Sequence, residues 1–335
     1  MKRGLVIGKF YPPHSGHKHL INQALAGCDE LDVLICDNEK YCIDAELRKE
    51  WIQKIHPTAK VQIIPDIDND NDSELWAAYT TDFLGYTPDI IFSSEDYGIQ
   101  YAYCMDAEHH MVDKQRKTVP VSGTKVRNNM FKEWCYVEKP VRADLALRIA
   151  VVGAESTGTT TLAQDLAKHY CTPWVPEYGR LYSEALGCFD IDWNDHDFEH
   201  IARTQQRMER TLATKSNGLL ICDTNATATQ LWQERYLGHT SETVAEIAAK
   251  DKIDFYLVTG DEIPFVQDGT RDGENIRHTM HTQFVALAAN SGIPYAVLSG
   301  TKAARRKQAI TLIDRLMKGY TLHDTPRTLR TCATT

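Results

Sequence analysis

The sequence of 335 residues predicts two consecutive α/β domains, each built on a parallel sheet. Three observations predict it. Short apolar runs alternate with stretches that are apolar at helical spacing, and that rhythm implies parallel strands with helices on both faces. Two of the runs pass through glycine-containing turns into helices, at Gly8–His17 and at Gly153–Thr161. The length also exceeds what a single hydrophobic core usually holds, roughly 250 to 300 residues.

The elements follow in order. Leu5-Val6-Ile7 is a buried strand, and His19-Leu20-Ile21 with Ala24-Leu25 starts the first helix. Leu31 to Cys36 is the second strand. Asp44 is expected to cap a helix through Leu47, Trp51, Ile52 and Ile55, which Pro57 ends. Val61 to Ile64 is the third strand, and Ser73 is expected to cap a helix carrying Leu75, Trp76, Tyr79 and Phe83. Asp89 to Ser93 forms a fourth strand, followed by the turn Ser94–Gly98, and a further strand lies near Met111. Tyr136 to Asp144 reads as a boundary, because Pro140 interrupts any helix there. A new strand, Leu147 to Val152, begins the second half, and a helix with Leu162, Leu166 and Ala167 follows it. Gly218–Asp223, Asp254–Thr259 and Pro294–Leu298 are strands, and a closing helix carries Ile310, Leu312, Ile313 and Leu316. This divides the chain into a first domain at 1–137, a linker at 138–145, a second domain at 146–322 and a polar tail at 323–335.

Composition narrows the function. Hydrophobic residues make up 42% and charged residues 25%, the balance of an ordinary globular protein. A net charge of −9 argues against a broad nucleic-acid footprint, which needs a basic face. Nucleotides stay open, since they need only a few local cations. Nine cysteines with no C-x-x-C pair read as reduced thiols of a cytoplasmic protein, not a disulfide frame or a zinc site. No apolar run approaches the roughly 18 residues of a membrane span. The start Met-Lys-Arg-Gly-Leu runs straight into a strand, so no signal peptide is expected. The expected partners are small molecules, with neither nucleic acid nor membrane among them. Whether copies form a homo-oligomer is left open.

The turn Gly8-Lys-Phe-Tyr-Pro-Pro-His14-Ser-Gly16-His17 carries the first chemistry. A helix N-terminus offers unpaired N–H groups and a partial positive charge, which suit phosphate. Gly16 lets a ligand approach the backbone, Lys9 adds a point charge, and His14 and His17 can donate to phosphate oxygens. The pattern resembles the G-x-F-x-P-x-H-x-G-H signature of adenylyltransferases in the HxGH nucleotidyltransferase superfamily. Val121-Ser122-Gly123-Thr124-Lys125-Val126-Arg127 follows a basic turn (Lys114, Arg116, Lys117). Ser122 and Thr124 suit a helix start, and Arg127 offers a fork of donors for a polyphosphate. About a hundred residues after the first turn, this stretch is similar to the second motif of that superfamily, S-x-T-x-x-R.

Gly153-Ala-Glu155-Ser156-Thr157-Gly158-Thr159-Thr160-Thr161 has the strand, glycine turn and helix of a P-loop. It departs at Thr159, where G-x-x-x-x-G-K-[ST] expects a lysine reaching the β- and γ-phosphates. The apolar strand ending in Asp223 has the form of a Walker B element holding magnesium, together with the Thr160 hydroxyl. A polar loop, Val266–Gly273, with Arg271 and then Arg277, is expected to close over ATP.

Taken together, these stretches, with Pro176-Glu177-Tyr-Gly-Arg180, resemble the NadR family over about residues 4 to 320. The resemblance implies a Rossmann-like nicotinamide mononucleotide adenylyltransferase followed by a P-loop ribosylnicotinamide kinase, both using ATP and Mg2+. It implies ATP contacts for Gly8, Lys9, Phe10, His14, Gly16, His17, Ser122, Thr124 and Arg127. In the second domain it implies Gly153 to Thr161, Arg271 and Arg277 for ATP, and Glu177 with Arg180 for the riboside. Trp76 is expected either to face the nicotinamide ring or to belong to the core. Some family members carry an N-terminal helix-turn-helix and act as repressors; with the first strand at about residue 4, that role is not expected. Besides Thr159, Asn225 departs from the family pattern, standing where a second acid (Asp-Thr-Asp) occurs. The alternative is a monofunctional adenylyltransferase whose degenerate P-loop domain only binds nucleotide or regulates.

Overall fold

The computed structural model describes residues 1–187, 191–263 and 274–322. It forms two compact units, one of residues 1–141 joined by the segment that begins at Thr321, the other of residues 142–320.

In the first unit, β1 (Arg3–Gly8), β2 (Glu30–Asp37), β3 (Lys60–Pro65), β4 (Ile90–Ser93) and β5 (Glu108–Met111) form an all-parallel sheet in the order β3-β2-β1-β4-β5. Because strand side chains alternate, β1 and β2 feed two cores at once. Val6, Val33 and Ile35 pack on one face with Ile21, Ile52 and Phe92. Leu5, Leu34 and Ile64 pack on the other with Ile91 and Tyr101. The covering helices are α1 (Ser15–Gly27), α2 (Ala45–Ile55), α3 (Ser73–Leu84) and α4 (Tyr97–Cys104). Asp44 caps α2 by accepting from the Glu46 and Leu47 amides. The cap of α3 is Asp72, one residue before the expected Ser73, because its carboxylate reaches the Leu75 amide at 2.9 Å. The order reverses between β1 and β4, the crevice where ligands of open α/β sheets sit. Both α1 and α5 (Gly123–Asn128) start at that edge.

The boundary is helical, not irregular. Pro140 lies in the first turn of α6 (Lys139–Leu145), where a missing N–H breaks no intrahelical bond. The second unit has β6 (Leu147–Val152), β7 (Trp174–Val175), β8 (Leu219–Asp223), β9 (Phe255–Thr259) and β10 (Tyr295–Leu298), all parallel, in the order β10-β9-β6-β8-β7. Around it lie α7 (Thr159–Tyr170), α8 (Tyr178–Ala185), α9 (Asp195–Ala213), α10 (Ala226–Leu237), α11 (Glu242–Ala248), α12 (Glu274–Asn290) and α13 (Lys302–Gly319). β6 is central and wholly buried, and its Val151 pairs with Asp223 of β8. The turn after β6 therefore lies beside the end of β8.

Among the described residues the seven cysteines are free thiols, and no helix is long and apolar enough to cross a membrane. The expected tail at 323–335 lies outside the described residues.

Candidate active sites

At the β1/β4 crevice a cavity of about 990 Å³ opens. His14 is the N-cap of α1: its Nδ1 accepts from the Gly16 and His17 amides at 3.2 and 3.4 Å. His17 Nδ1 accepts in return from the His14 amide at 3.3 Å, closing a capping box built from two histidines. With both Nδ1 atoms used as acceptors, each neutral ring carries its proton on Nε2. The rings stack with centroids 3.7 Å apart, and Phe10 sits edge-on against His17 at 5.0 Å. Burial first, then the charges of Arg116 and Arg127, pushes His14 down to about 3. Burial also holds His17 well below its ordinary value, with His14 and Arg116 adding to it. The pair therefore presents N–H donors without positive charge. Gly16 is required beneath them, since a Cβ there would meet the His14 ring at 3.0 Å.

The second motif is fastened to the first. Ser122 caps α5 by accepting from the Lys125 amide. Arg127 Nη1 donates to the Tyr11 carbonyl at 2.5 Å and Nη2 to Thr124 Oγ1 at 3.1 Å. Gly123 packs so closely that a Cβ would lie 2.9 Å from the same Tyr11 oxygen. Gly8, Lys9, Phe10, His14, Gly16, His17, Ser122, Thr124 and Arg127 thus all line one cavity, as does Trp76. Lys9 is not directed at the histidines alone: its Nζ pairs with Asp70 at 2.9 Å. Trp76 is half-buried and donates Nε1–H to the Asn69 carbonyl.

Two arginines here were given no site role by the sequence reading, Arg116 standing there only as part of a basic turn. Arg116 lines the cavity and pairs with Glu95 at 3.2 Å. Arg48 is fully buried; it donates to the carbonyls of Lys9, Cys36 and Ile43 and pairs with Asp37 at 2.7 Å. It gathers the strand ends that carry the Gly8–Phe10 turn. Its place with Ala45, Trp51 and Ile52 on the buried face of α2 was the available signal.

A second cavity, about 530 Å³, lies at the end of β6 and β8. Ser156 and Gly158 adopt left-handed conformations, with φ of 61° and 85°, and curl the loop so that α7 begins at Thr159. Gly153, Glu155, Ser156, Gly158, Thr159, Thr160 and Thr161 line the cavity, with Glu177, Arg180 and Asp223. Thr157 does not. Its hydroxyl bonds the Ala154 carbonyl and Thr259 Oγ1 at 2.6 and 2.7 Å, so it closes the loop from behind. Arg277 does not reach the cavity either. It is buried; its Nη2 donates to the carbonyls of Asp261 and Ile263, and its Nε is buried without a hydrogen-bond partner. Arg271 and the loop Val266–Gly273 lie outside the described residues.

Asn225 also faces elsewhere. As N-cap of α10 it accepts from the Ala228 amide, and its Nδ2 donates to Asp251 and to the Tyr256 hydroxyl at 2.9 and 2.8 Å. The departure it represents is therefore structural and does not touch the P-loop cavity.

Asp223 is 1% exposed, and both its oxygens are buried without a well-formed hydrogen bond. Burial pushes it up to about 6, against the hydroxyls of Thr160 and Thr159 and the charge of Arg180. Glu177 is pushed up to about 8 by burial and by the charge of Asp223, with Arg180 opposing and Glu155 adding to the rise. The opposite wall is aromatic: Trp193 lies 5.5 Å from Tyr236 and 5.2 Å from Phe198, and Trp232 lies beside Tyr236. This wall was missed. Its signal was Trp232 and Tyr236, one helical turn apart just after the Asp223 strand.

Comparison with known proteins agrees with this division. Residues 5–129 match a family described as cytidylyltransferase-like, and residues 148–306 match one described as an AAA domain. The chain is 28% identical over 293 residues to the trifunctional NAD biosynthesis/regulator protein NadR of Escherichia coli, covering 80% of this chain and 71% of that protein. It is 27% identical, with the same coverage, to the protein so named in Salmonella typhimurium. A crystal structure of NadR protein in complex with NR superposes with a TM-score of 0.74 at 20% identity, covering 96% of this chain and 97% of that one. One in complex with NAD and AMP-PNP gives 0.72 at 20% identity, covering 95% and 97%.

Proposed function

We propose that the chain, which resembles the NadR proteins at 27 to 28% identity, makes NAD from nicotinamide riboside in two ATP-dependent steps. In the first unit, nicotinamide mononucleotide is joined to the AMP part of ATP. In the second, the riboside is phosphorylated to that mononucleotide. The observation that carries the reading is the pair of Nε2–H donors at His14 and His17, in one cavity with the Arg127 fork and Trp76.

For adenylyl transfer, a phosphate oxygen of the mononucleotide bonds to the α-phosphorus of ATP. The bond from that phosphorus to the bridging oxygen breaks, and pyrophosphate leaves. The nucleophile is already ionised, so no general base is needed. Catalysis rests on positioning and on stabilising charge at the transferring group. His14, His17 and Arg127 supply fixed donors, held in place before the substrate arrives by the α1 cap and the Tyr11 carbonyl. Lys9, tied to Asp70, adds a charge for the ATP phosphates in the same cavity, and Trp76 offers an aromatic face for the nicotinamide ring.

For riboside phosphorylation, the 5′-hydroxyl oxygen bonds to the γ-phosphorus, the bond from that phosphorus to the β,γ-bridging oxygen breaks, ADP leaves, and the hydroxyl proton is released to water. The loop from Gly153 to Thr160 would cradle the phosphates through its amides. The aromatic wall of Trp193, Trp232 and Tyr236 suits the flat pyridine ring, and Glu177 suits a ribose hydroxyl. Magnesium fits this cavity: the Asp223 carboxylate is buried without a well-formed hydrogen bond, beside the hydroxyls of Thr160 and Thr159. When bound, the ion neutralises phosphate charge, and Thr160 and Asp223 would hold it. The absent lysine at Thr159 favours a second reading, in which this unit binds nucleotide without turnover.

Product analysis by mass, with riboside, mononucleotide and ATP supplied in turn, tests both steps. NAD and pyrophosphate are expected from mononucleotide, and mononucleotide from riboside. Failure of the first sinks the adenylyltransferase reading, and failure of the second leaves the nucleotide-binding one.

A further inference from the structure

We propose that Gln205 is a positioning residue for the riboside: its side chain takes over the capping of α8 and so leaves the Glu177 carboxylate available to the cavity, where it accepts from a ribose hydroxyl. This rests on reading the cavity as the riboside's site, with Glu177 against the sugar.

The start of α8 carries the argument. Its N-cap is Glu177, and the Glu177 side chain makes no cap hydrogen bond. Ser, Thr, Asp and Asn usually fill that position and accept from first-turn amides with their own short side chains. Here the amide of Tyr178, the first residue of the helix, donates instead to Gln205 Oε1 of α9 at 2.9 Å. The neighbouring helix thus satisfies an amide that has no intrahelical partner, and Glu177 is not drawn back onto its own helix end. Glu177 and Gln205 both line the cavity.

Packing alone does not explain a glutamine at this place. Gln205 is 1% exposed, on the buried stripe of α9 with Phe198, Ile201 and Ala202. An apolar side chain would pack there without a polar cost. Its Nε2 has no well-formed hydrogen bond, although Glu209 lies one turn further along the helix. A buried amide left half satisfied calls for a role besides filling space. Nor does α8 depend on Gln205 for its seat. The Tyr178 hydroxyl meets His200 Nε2 at 3.0 Å, the Tyr182 hydroxyl donates to Asp197 at 2.6 Å, and Gly179 packs against Ile201. What Gln205 adds is local, at the turn that carries Glu177. Phe198, from the aromatic wall, lines the cavity two turns before Gln205. The two positions are about 10 Å apart by helical rise, which leaves room for a flat ring at one end and its sugar at the other.

The test uses the full chain in a double-mutant cycle: wild type, Gln205→Met, Glu177→Gln and the double variant. Methionine keeps the length of the Gln205 side chain and removes its amide, and glutamine at 177 keeps the shape and removes the charge. Calorimetric titration with nicotinamide riboside, and separately with magnesium and a non-hydrolysable ATP analogue, reads binding without turnover. Each single substitution should weaken riboside by roughly ten- to hundredfold, the scale of a hydrogen bond to a charged group. The double variant should bind no more weakly than Glu177→Gln, because both changes remove the same contact. Analogue affinity should not fall in any variant, which also shows that the second unit is folded. The proposal is overturned if either single variant binds riboside like wild type, or if the two losses multiply in the double variant. It is equally overturned if riboside and analogue weaken together in Gln205→Met, the mark of general loosening. Those outcomes leave the riboside reading of the cavity standing. A wild type that binds the analogue at two sites but takes no riboside overturns that reading, and the role of Gln205 with it.

Discussion

His14 does two jobs, and paired substitutions should separate them. Its Nδ1 caps α1, and its side chain lines the cavity proposed to take ATP, with Nε2–H as the donor. His14→Ala removes both functions. His14→Asn keeps a short side-chain acceptor for the Gly16 and His17 amides but loses the donor. Loss of an N-cap acceptor costs about 1 kcal/mol, or about 4 °C in melting temperature for a domain of this size. Loss of one preorganised donor at a transferring phosphoryl group costs roughly tenfold to a thousandfold in turnover. The alanine variant should therefore be slow and less stable, and the asparagine variant slow but near wild type in stability. Pyrophosphate release from ATP and mononucleotide reads the first property, and thermal melting reads the second. Acid adds a third readout. With its folded value pushed down to about 3 against 6.5 in the unfolded chain, His14 binds more protons unfolded. Its contribution to stability is thus present above pH 6.5 and lost as pH falls toward 3, and His14→Asn should flatten that loss. Equal melting temperatures for the two variants, or full turnover in His14→Ala, would refute the reasoning.

Three further outcomes follow from the same geometry. Gly123→Ala places a Cβ 2.9 Å from the Tyr11 carbonyl and 3.1 Å from Arg127 Nη1. It should cost about 1 to 3 kcal/mol and slow adenylyl transfer at least roughly tenfold, with riboside phosphorylation as the unchanged control. Asn225→Asp would set a second carboxylate against Asp251 in place of an N–H donor. It should lower stability by about 1 to 3 kcal/mol without raising riboside phosphorylation, and a gain in rate would show that the position does face the nucleotide. Burial raises Asp223 to about 6 and Glu177 to about 8, with Asp223 and Glu155 lifting Glu177 further. Both carboxyls hold protons more tightly folded than unfolded, so their contribution is present at low pH and lost as pH rises through 6 to 8. Magnesium competes with those protons, so its increment in melting temperature should be larger at pH 8 than at pH 6; equal increments would count against Asp223 as its ligand.

Much of the first site was legible because its residues are close in sequence and their spacing has local meaning. A three-residue interval between His14 and His17 is also the interval of a capping box, so turn and chemistry announce each other. The neutral state of the rings was not legible. It comes from burial together with Arg116 and Arg127, which reach the turn from about a hundred residues away. Arg48 was hidden for the opposite reason: a charged residue on a buried helix face looks like a break in the apolar pattern. At the second site, glycine spacing marked the loop, but the motif did not tell which way each side chain turns. Thr157 and Asn225 both sit in motif positions, and both side chains bond to scaffold instead of cavity. The aromatic wall joins Trp193 and Phe198 to Trp232 and Tyr236 across different helices, and only the packed fold brings them together.

The two turns also differ in how much change they tolerate. In the first, the residues proposed to touch substrate also hold the backbone: His14 and His17 cap α1, and Arg127 ties α5 to Tyr11. Substituting any of them disturbs both fold and chemistry, so the whole motif is constrained together. In the second, the cradle is backbone, shaped by the left-handed Ser156 and Gly158 and braced from behind by Thr157, Thr259 and Arg305. A lysine at the start of α7 would be no part of that brace. The loop can therefore carry Thr159 and keep its form.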